Sequence, residues 1–414
     1  MLAILSTHPI QYQAPLWQAL AKDGRVEFEV WYLTAHAVQR SHDPGFGADF
    51  AWDMDLLAGY PHRFLITSAG ATPNTPFRMW IMESLSALFK ENKVKVLWVQ
   101  GWQVGAYWQA VWAAHKAGVQ VWLRGESNAL REQGGTTRRR DDKRRGPGGL
   151  KRAAKRLLLG QLFKRVDHFL CIGSANRDLY RSYGVPESKL HMTPYAVDNE
   201  RFARQAKEIE DRRWEIRKQW GIPEESFCVL FCGKFIRKKR PFDLIKAAQL
   251  LLHSHPELKL HLLFVGSGEL GAQLRANCNV VFDEEAKNLT SDLRHLTSGT
   301  KPKASFAGFL NQTEISRAYV AADLLVLPSD YGETWGLVVN EAMASGLLCI
   351  ISDHCGCAPD LGRCDGNAVF RCGDVEQLSE LLTTIAQPKG SKPCKLPSLR
   401  ETADVAAALY TALT

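Results

Sequence analysis

No apolar run in this sequence approaches the roughly 20 residues that a membrane-spanning helix needs, so an integral helical membrane protein is not expected. The start, "MLAILSTHPIQ", has no basic leading segment and too short an apolar stretch for a secretory leader; it reads as a first strand. These two absences lead to the expectation of a cytoplasmic chain. Ten cysteines are present but form no paired framework, and without a leader they are expected to be reduced, mostly buried thiols. Their one cluster, Cys355, Cys357, Cys364 and Cys372, has a single close pair where a zinc site needs two, which favours ordinary loop cysteines.

Other signatures are equally incomplete. "WDMDLL" holds Asp53 and Asp55, but outside the strand-end context that would present both carboxylates to a metal. "VGSGEL" has Gly266 and Gly268 but not the third glycine of a dinucleotide fingerprint, which speaks against a nicotinamide oxidoreductase.

Hydrophobic content of 45% and charged content of 23% describe an ordinary folded chain and exclude disorder. At 414 residues the chain is too long for one core, and two domains of about 200 residues each are expected. The formal net charge of +8 is unevenly spread, since Arg138 to Arg156 carries ten Lys or Arg residues against two aspartates. Such a run is either a solvated loop and helix face or an attraction for anionic lipid headgroups or an acidic acceptor. Nucleic acid is not the expected partner, because the run lacks interleaved aromatics and belongs to no nucleic-acid-binding motif.

Short apolar runs alternate with longer helical patterns. In the first half, strands are expected at 2–7, 27–33, 64–66, 94–100, 119–124 and 168–173. In the second half they are expected at 227–233, 259–266, 304–308, 324–329, 348–352 and 368–370. Continuously apolar strands separated by helices indicate α/β architecture with parallel sheets covered on both faces. Two series indicate two Rossmann-like doubly wound domains, and paired sheets of this kind would face each other across a cleft. The divisions read as 1–198, 199–390 and a closing helix within 391–414 that packs back toward the first domain.

The chemistry gathers in "GETWGLVVNEAMASG", residues 332–346, which follows an apolar strand. Thr334 reads as an N-cap, Leu337, Val338, Ala342 and Met343 as a packed face, and Gly346 as the residue beyond the helix end. The opening N–H groups around Trp335, Gly336 and Leu337 would form an anion site, with Gly336 admitting a ligand close to the backbone. Glu341 lies about 7 Å along that helix, placed to accept from ribose hydroxyls, while Glu333 precedes the tip and suits the hydroxyls of a sugar. Taken singly, Glu333 is also explained as favourable charge at a helix start and Glu341 as a solvated helix position. A second cationic feature follows the strand at 227–233: Gly233 and Lys234, then Arg237, Lys238, Lys239 and Arg240 before Pro241. Five cations in seven residues at a strand end suit a diphosphate.

These motifs together resemble the family 4 retaining glycosyltransferases of group 1, which have the GT-B fold. The family's two glutamates separated by seven residues are matched by Glu333 and Glu341. Its glycine, basic residue and later lysine are matched by Gly233, Lys234 and Lys239, with Lys234 standing where arginine is frequent. The resemblance continues through 169–202, 262–270, 304–329 and 356–362. It implies transfer of a sugar from a nucleotide-diphosphate donor to a glycan or lipid-linked acceptor, with retention and without a metal or other cofactor. Synthesis of a cell-surface polysaccharide or lipopolysaccharide is the implied setting, with a peripheral position at the cytoplasmic face of a membrane.

Within the resemblance, Glu333, Lys234 and Lys239 act at the reacting centre. Gly233, Arg237, Thr334, Trp335, Gly336, Leu337 and Glu341 contact the donor, and the backbone near Phe309 and Leu310 meets the base. The first half departs from the pattern: it has "THPIQYQAPL" where a glycine-rich loop is frequent, and "LRGESN" where a histidine is frequent. His8, Arg124 and Glu126 are therefore cleft candidates in place of a catalytic histidine. A sugar-nucleotide epimerase or hydrolase would keep the same donor site, and a non-catalytic binding protein using the basic surface is the remaining alternative.

Overall fold

The computed structural model describes residues 1–36, 38, 41–43, 46, 48–68, 70, 78–130, 148–285, 301–386 and 396–413. Sixteen strands occur among them. They are β1 (Leu2–Ser6), β2 (Phe28–Tyr32), β3 (Ser41–Asp43), β4 (Ala48–Phe50), β5 (His62–Phe64), β6 (Val96–Val99), β7 (Gln120–Leu123), β8 (His168–Cys171) and β9 (Leu190–Met192). The second half contributes β10 (Phe227–Cys232), β11 (Leu260–Val265), β12 (Asn279–Asp283), β13 (Lys303–Phe306), β14 (Leu324–Leu327), β15 (Leu348–Ser352) and β16 (Ala368–Phe370).

Two seven-stranded sheets result, ordered β5-β2-β1-β6-β7-β8-β9 and β12-β13-β11-β10-β14-β15-β16. The pairings within both are parallel. Their central strands are buried along their whole length, which is why they read as apolar runs, interrupted only by Ser6 at the end of β1 and His261 in β11. Each sheet has its own core, one holding Trp31, Tyr107 and Phe169, the other Phe231, Phe264 and Phe306.

The chain divides into two compact units, Met1–Ser41 with Met54–Tyr195 and Pro397–Thr414, and His42–Asp53 with Ala196–Leu396. Thr193 and Tyr195 donate to the carbonyls of Cys171 and Ile172, so the chain stays in the first unit through Tyr195. Asn199 opens a helix, Asn199–Ile209, capped where the Asp198 carboxylate accepts from the Arg201 N–H at 2.9 Å. The helix Leu399–Thr411 starts with a capping box, Ser398 with Glu401, and packs on the helix Ala14–Asp23 of the first unit. In the second unit, Asp323 takes Arg217 at 2.7 Å and the Cys228 N–H at 2.7 Å, pinning the helix Arg213–Gln219 to the sheet.

Three expectations are corrected. The strand expected at 64–66 is β5 at His62–Phe64, since pairing Val30 with His62 in register with β2 ends at Phe64. β9 and β12 were not foreseen; both are outermost strands, and β12 carries exposed Val280 and Val281, so neither shows an unbroken buried pattern. Eight described cysteines are free as expected, but Cys364 is disulfide-bonded. It lies just past the helix Ala358–Leu361, where the absence of a leader carries no information about local geometry.

Candidate functional site

In the second unit the site begins at the carboxyl end of β10, where an open parallel sheet presents ligands. The chain leaves Cys232 through Gly233 and Lys234 and makes a short 3-10 turn, Arg237–Lys239, before the helix Pro241–Ser254. Lys239 turns back along the strand end, its Cε 4.0 Å from where a side chain at Gly233 would begin. From the neighbouring strand β14 comes the loop 328–336, closed by Gly332 N–H donation to Asp330 Oδ1 at 2.8 Å. The Asp330 N–H donates to the Lys238 carbonyl at 2.8 Å, joining the two loops. Glu333 thereby meets Lys239 in a direct ion pair and also accepts from Ser329 Oγ at 3.1 Å. Burial opposes the Lys239 charge, but Glu333 outweighs it and holds the ammonium above its ordinary value.

Thr334 is not the helix cap. The carbonyls of Glu333 and Trp335 accept from Gly356 and Cys357, which holds this stretch as a bend outside the helix, and the helix starts only at Leu337. Gly336 is the N-cap at φ 110, where an added Cβ would lie 2.7 Å from Leu327 Cδ2. In the first turn the Val339 N–H donates to the Gly336 carbonyl at 2.9 Å, which leaves the N–H groups of Leu337 and Val338 to face outward just past the loop that carries Glu333. The buried positions of the helix Leu337–Ala344 are Val339, Asn340 and Ala342, not Leu337, Val338 and Met343, because the late start rotates the inward face. Gly346, at φ 91, follows its end.

Glu341 is the fifth residue of that helix and is half-buried. The Tyr319 hydroxyl donates to its Oε2 at 2.6 Å. Burial raises this carboxyl above its usual range, with Tyr319 opposing the rise. Arg201, near enough to lower it further, is itself held by the Gln312 side chain at 2.7 Å. Arg237 is exposed on its turn, and Phe309 and Leu310 lie half-buried beyond β13.

Phe46, from the segment His42–Asp53, lies under the Lys234 ammonium at 4.8 Å and edge-on to Phe309 at 5.0 Å. Asp53 accepts from the Thr313 N–H at 2.9 Å, and Asp55 accepts from the Leu57 and Ala58 N–H groups. Both carboxylates therefore anchor backbone. Among the described residues, no group of three His, Cys, Asp or Glu side chains is placed to hold a metal ion.

In the first unit, His8 follows β1, and its Nδ1 lies 2.9 Å from the Thr7 hydroxyl. Burial, with a smaller contribution from His36, lowers His8 to about 4, so it is neutral at pH 7. Arg124, at the end of β7, is 3% exposed and lies over the Tyr195 ring at 4.5 Å. Glu126 Oε1 accepts from both Tyr12 at 2.8 Å and Tyr195 at 2.5 Å.

Sequence reasoning missed Ser329, four residues before Glu333, and Tyr319, Gln312, Phe46, Tyr12 and Tyr195, which partner its chosen residues from more distant positions. Of the basic run, 138–147 lies outside the described residues. Its continuation in the helix Gly148–Phe163 exposes Leu157 and Leu158, at 67% and 58%, beside Lys155 and Arg156. Among the described residues, no helix is long and apolar enough to cross a membrane.

Residues 212–393 match the family described as "Glycosyl transferases group 1", and residues 11–196 match "Glycosyl transferase 4-like domain". A mannosylfructose-phosphate synthase of Agrobacterium fabrum is 30% identical over 181 residues, covering 43% of this chain and 36% of that protein. A D-inositol 3-phosphate glycosyltransferase of Pseudarthrobacter chlorophenolicus is 30% identical over 171 residues, 41% of this chain and 35% of that protein. These matches span about a third of the relatives' length.

In fold, the chain is similar to Anabaena HepE, solved in complex with UDP, at TM-score 0.60 and 13% identity, covering 99% of this chain and 94% of that one. It is also similar to WaaG, a glycosyltransferase involved in lipopolysaccharide biosynthesis, at TM-score 0.58 and 16% identity, covering 100% and 96%. Two parallel-sheet α/β units and these neighbours establish the GT-B fold class.

Proposed function

We propose that this chain, which belongs to the group 1 glycosyl transferases, moves a sugar from a nucleotide-diphosphate sugar to a glycan or lipid-linked acceptor, retaining anomeric configuration without a metal ion or other cofactor. The observation that carries this is the Lys239–Glu333 pair at the carboxyl end of the sheet, on the loop that opens the helix Leu337–Ala344. As the bond from the sugar to the diphosphate breaks, negative charge collects on the departing phosphate oxygens. Lys239, Lys234 and the first-turn N–H groups are donors already in place for that charge, so little reorganisation is needed as it forms.

Glu333, oriented by Lys239 and Ser329, positions the donor sugar through its hydroxyls. Glu341 receives the ribose, Arg237 and the backbone from Thr334 to Leu337 contact the diphosphate side, and Phe309 and Leu310 border the base. The solved complex of HepE with UDP supports a nucleotide-diphosphate donor for this fold. We read the basic run 138–156 as a contact with an anionic membrane at its cytoplasmic face, supported by the exposed leucines beside it.

Calorimetric titration with UDP and GDP tests the donor site. One of the two should bind, and Lys239→Ala should weaken it about tenfold or more, the usual scale for losing a charged hydrogen bond. Binding of neither nucleotide, or unchanged affinity in the variant, would contradict the assignment.

A further inference from the structure

Where the family pattern often has a histidine, β7 runs into Arg124, Gly125 and Glu126, and the structure makes this a rigid mount for one carboxylate. Asn176 Nδ2 donates to the carbonyls of both Gly125, at 3.0 Å, and Ser127, at 2.5 Å, bracketing Glu126 from either side. The Gly125 N–H donates to the Tyr180 hydroxyl at 3.1 Å. Trp102 packs so closely that a Cβ at Gly125 would lie 2.2 Å from its ring, so the backbone sits where only glycine fits.

The side chain is fixed as firmly. Both phenol hydroxyls are spent on Oε1, and the Tyr12 and Tyr195 rings meet edge to face at 5.5 Å. Oε2 has no hydrogen-bond partner among the described residues, and Glu126 is partly exposed. A carboxylate held on one oxygen and open on the other is a preorganised acceptor for a donor group from outside. The nearest guanidinium does not serve an anion here: Arg124 is 3% exposed, lies against the Tyr195 ring and donates to the Thr193 carbonyl at 3.1 Å. Arg124 offsets the Glu126 charge from within the core but presents no exposed guanidinium to a phosphate, whereas a hydroxyl meets a fixed oxygen beside an aromatic ring.

We propose that Glu126, with the Tyr12 ring beside it, is the acceptor-sugar site of the first unit and accepts a hydrogen bond from a hydroxyl of a neutral, hydroxyl-rich ring. This rests on the glycosyltransferase reading and sharpens it, because it separates the acceptor's recognition from the cationic surface at 138–156. Tyr12 and Tyr195 are positioning residues, acting through the carboxylate they hold.

The test is saturation-transfer NMR on the full chain with methyl α-D-glucopyranoside, methyl α-D-mannopyranoside, myo-inositol and glucose 6-phosphate. UDP affinity and thermal melting are followed in parallel. At least one neutral ligand should receive saturation and outcompete glucose 6-phosphate. Glu126→Gln should weaken it about tenfold or more and Tyr12→Phe about threefold, with UDP affinity unchanged in both. No transfer to any neutral ligand, preference for the phosphate, or wild-type ligand affinity in Tyr12→Phe or in a folded Glu126→Gln would overturn the proposal. Failure of the wild type to bind UDP or GDP would instead count against the donor reading, so the two failures are distinguishable.

Discussion

Glu341 occupies a place that disfavours its own charge, and that has a measurable consequence. Its carboxyl is raised above the ordinary 4.5 by burial in the folded chain. Between those two values the folded state keeps a proton that the unfolded state has released, so stability declines as pH rises through the interval. Glu341→Gln keeps an acceptor for the Tyr319 hydroxyl and removes the ionisation. It should raise the thermal midpoint at pH 7. The gain should close as pH falls to 4.5, while UDP affinity drops because the ribose loses its carboxylate. An equal shift at both pH values would contradict the ionisation account. The grouping of Gly233, Lys239 and Glu333 at one strand end was legible in the sequence because a strand, a tight loop and a helix start fix their spacing. Tyr319 and Ser329 were not, since a tyrosine in "AYVAAD" and a serine after "LLVLP" look like any core or loop residue until folding brings them to the carboxylates.

At the scale of elements, the helix Gly148–Phe163 divides in two. Leu159, Leu162 and Phe163 are buried in the first unit's core, while 153–158 are exposed, with Leu157 and Leu158 outward among cations. Each Lys or Arg near an anionic surface contributes about 1 kcal/mol, and a short apolar pair adds to that. Replacing the arginines of 138–145 with glutamine should therefore reduce sedimentation with phosphatidylglycerol vesicles about tenfold or more and weaken its salt sensitivity. Binding equal to wild type would exclude the run as a membrane contact.

The same division between buried and open elements explains which strands could be read. β6 and β14 carry continuous apolar runs, and β1 and β11 runs with one polar residue each, because both faces are covered. The outermost strands β9 and β12 lack that signal, and the N-cap fell on Gly336 because pairing to the 356–357 backbone outranks the local preference of Thr334.

The whole molecule comprises two parallel-sheet units with separate cores, and alternating strands and helices announce both. What the linear pattern could not announce is that His42–Asp53, embedded in the first half of the chain, belongs with the second unit. Hydrogen bonds from Ser267, Asn311 and Thr313 hold it there, placing Phe46 against Lys234 and Phe309. The central claim is sugar transfer, as distinct from epimerisation or hydrolysis of a sugar nucleotide. Mass spectrometry of the protein incubated with nucleotide sugars, with and without a panel of glycans and lipid-linked acceptors, tests it most directly. The account predicts an acceptor heavier by one sugar, formed only when acceptor is present and reduced at least a hundredfold by Glu333→Gln, the scale of losing one group that acts on the transition state. Consumption of the nucleotide sugar at the same rate without acceptor, and no glycosylated product with it, would contradict the account.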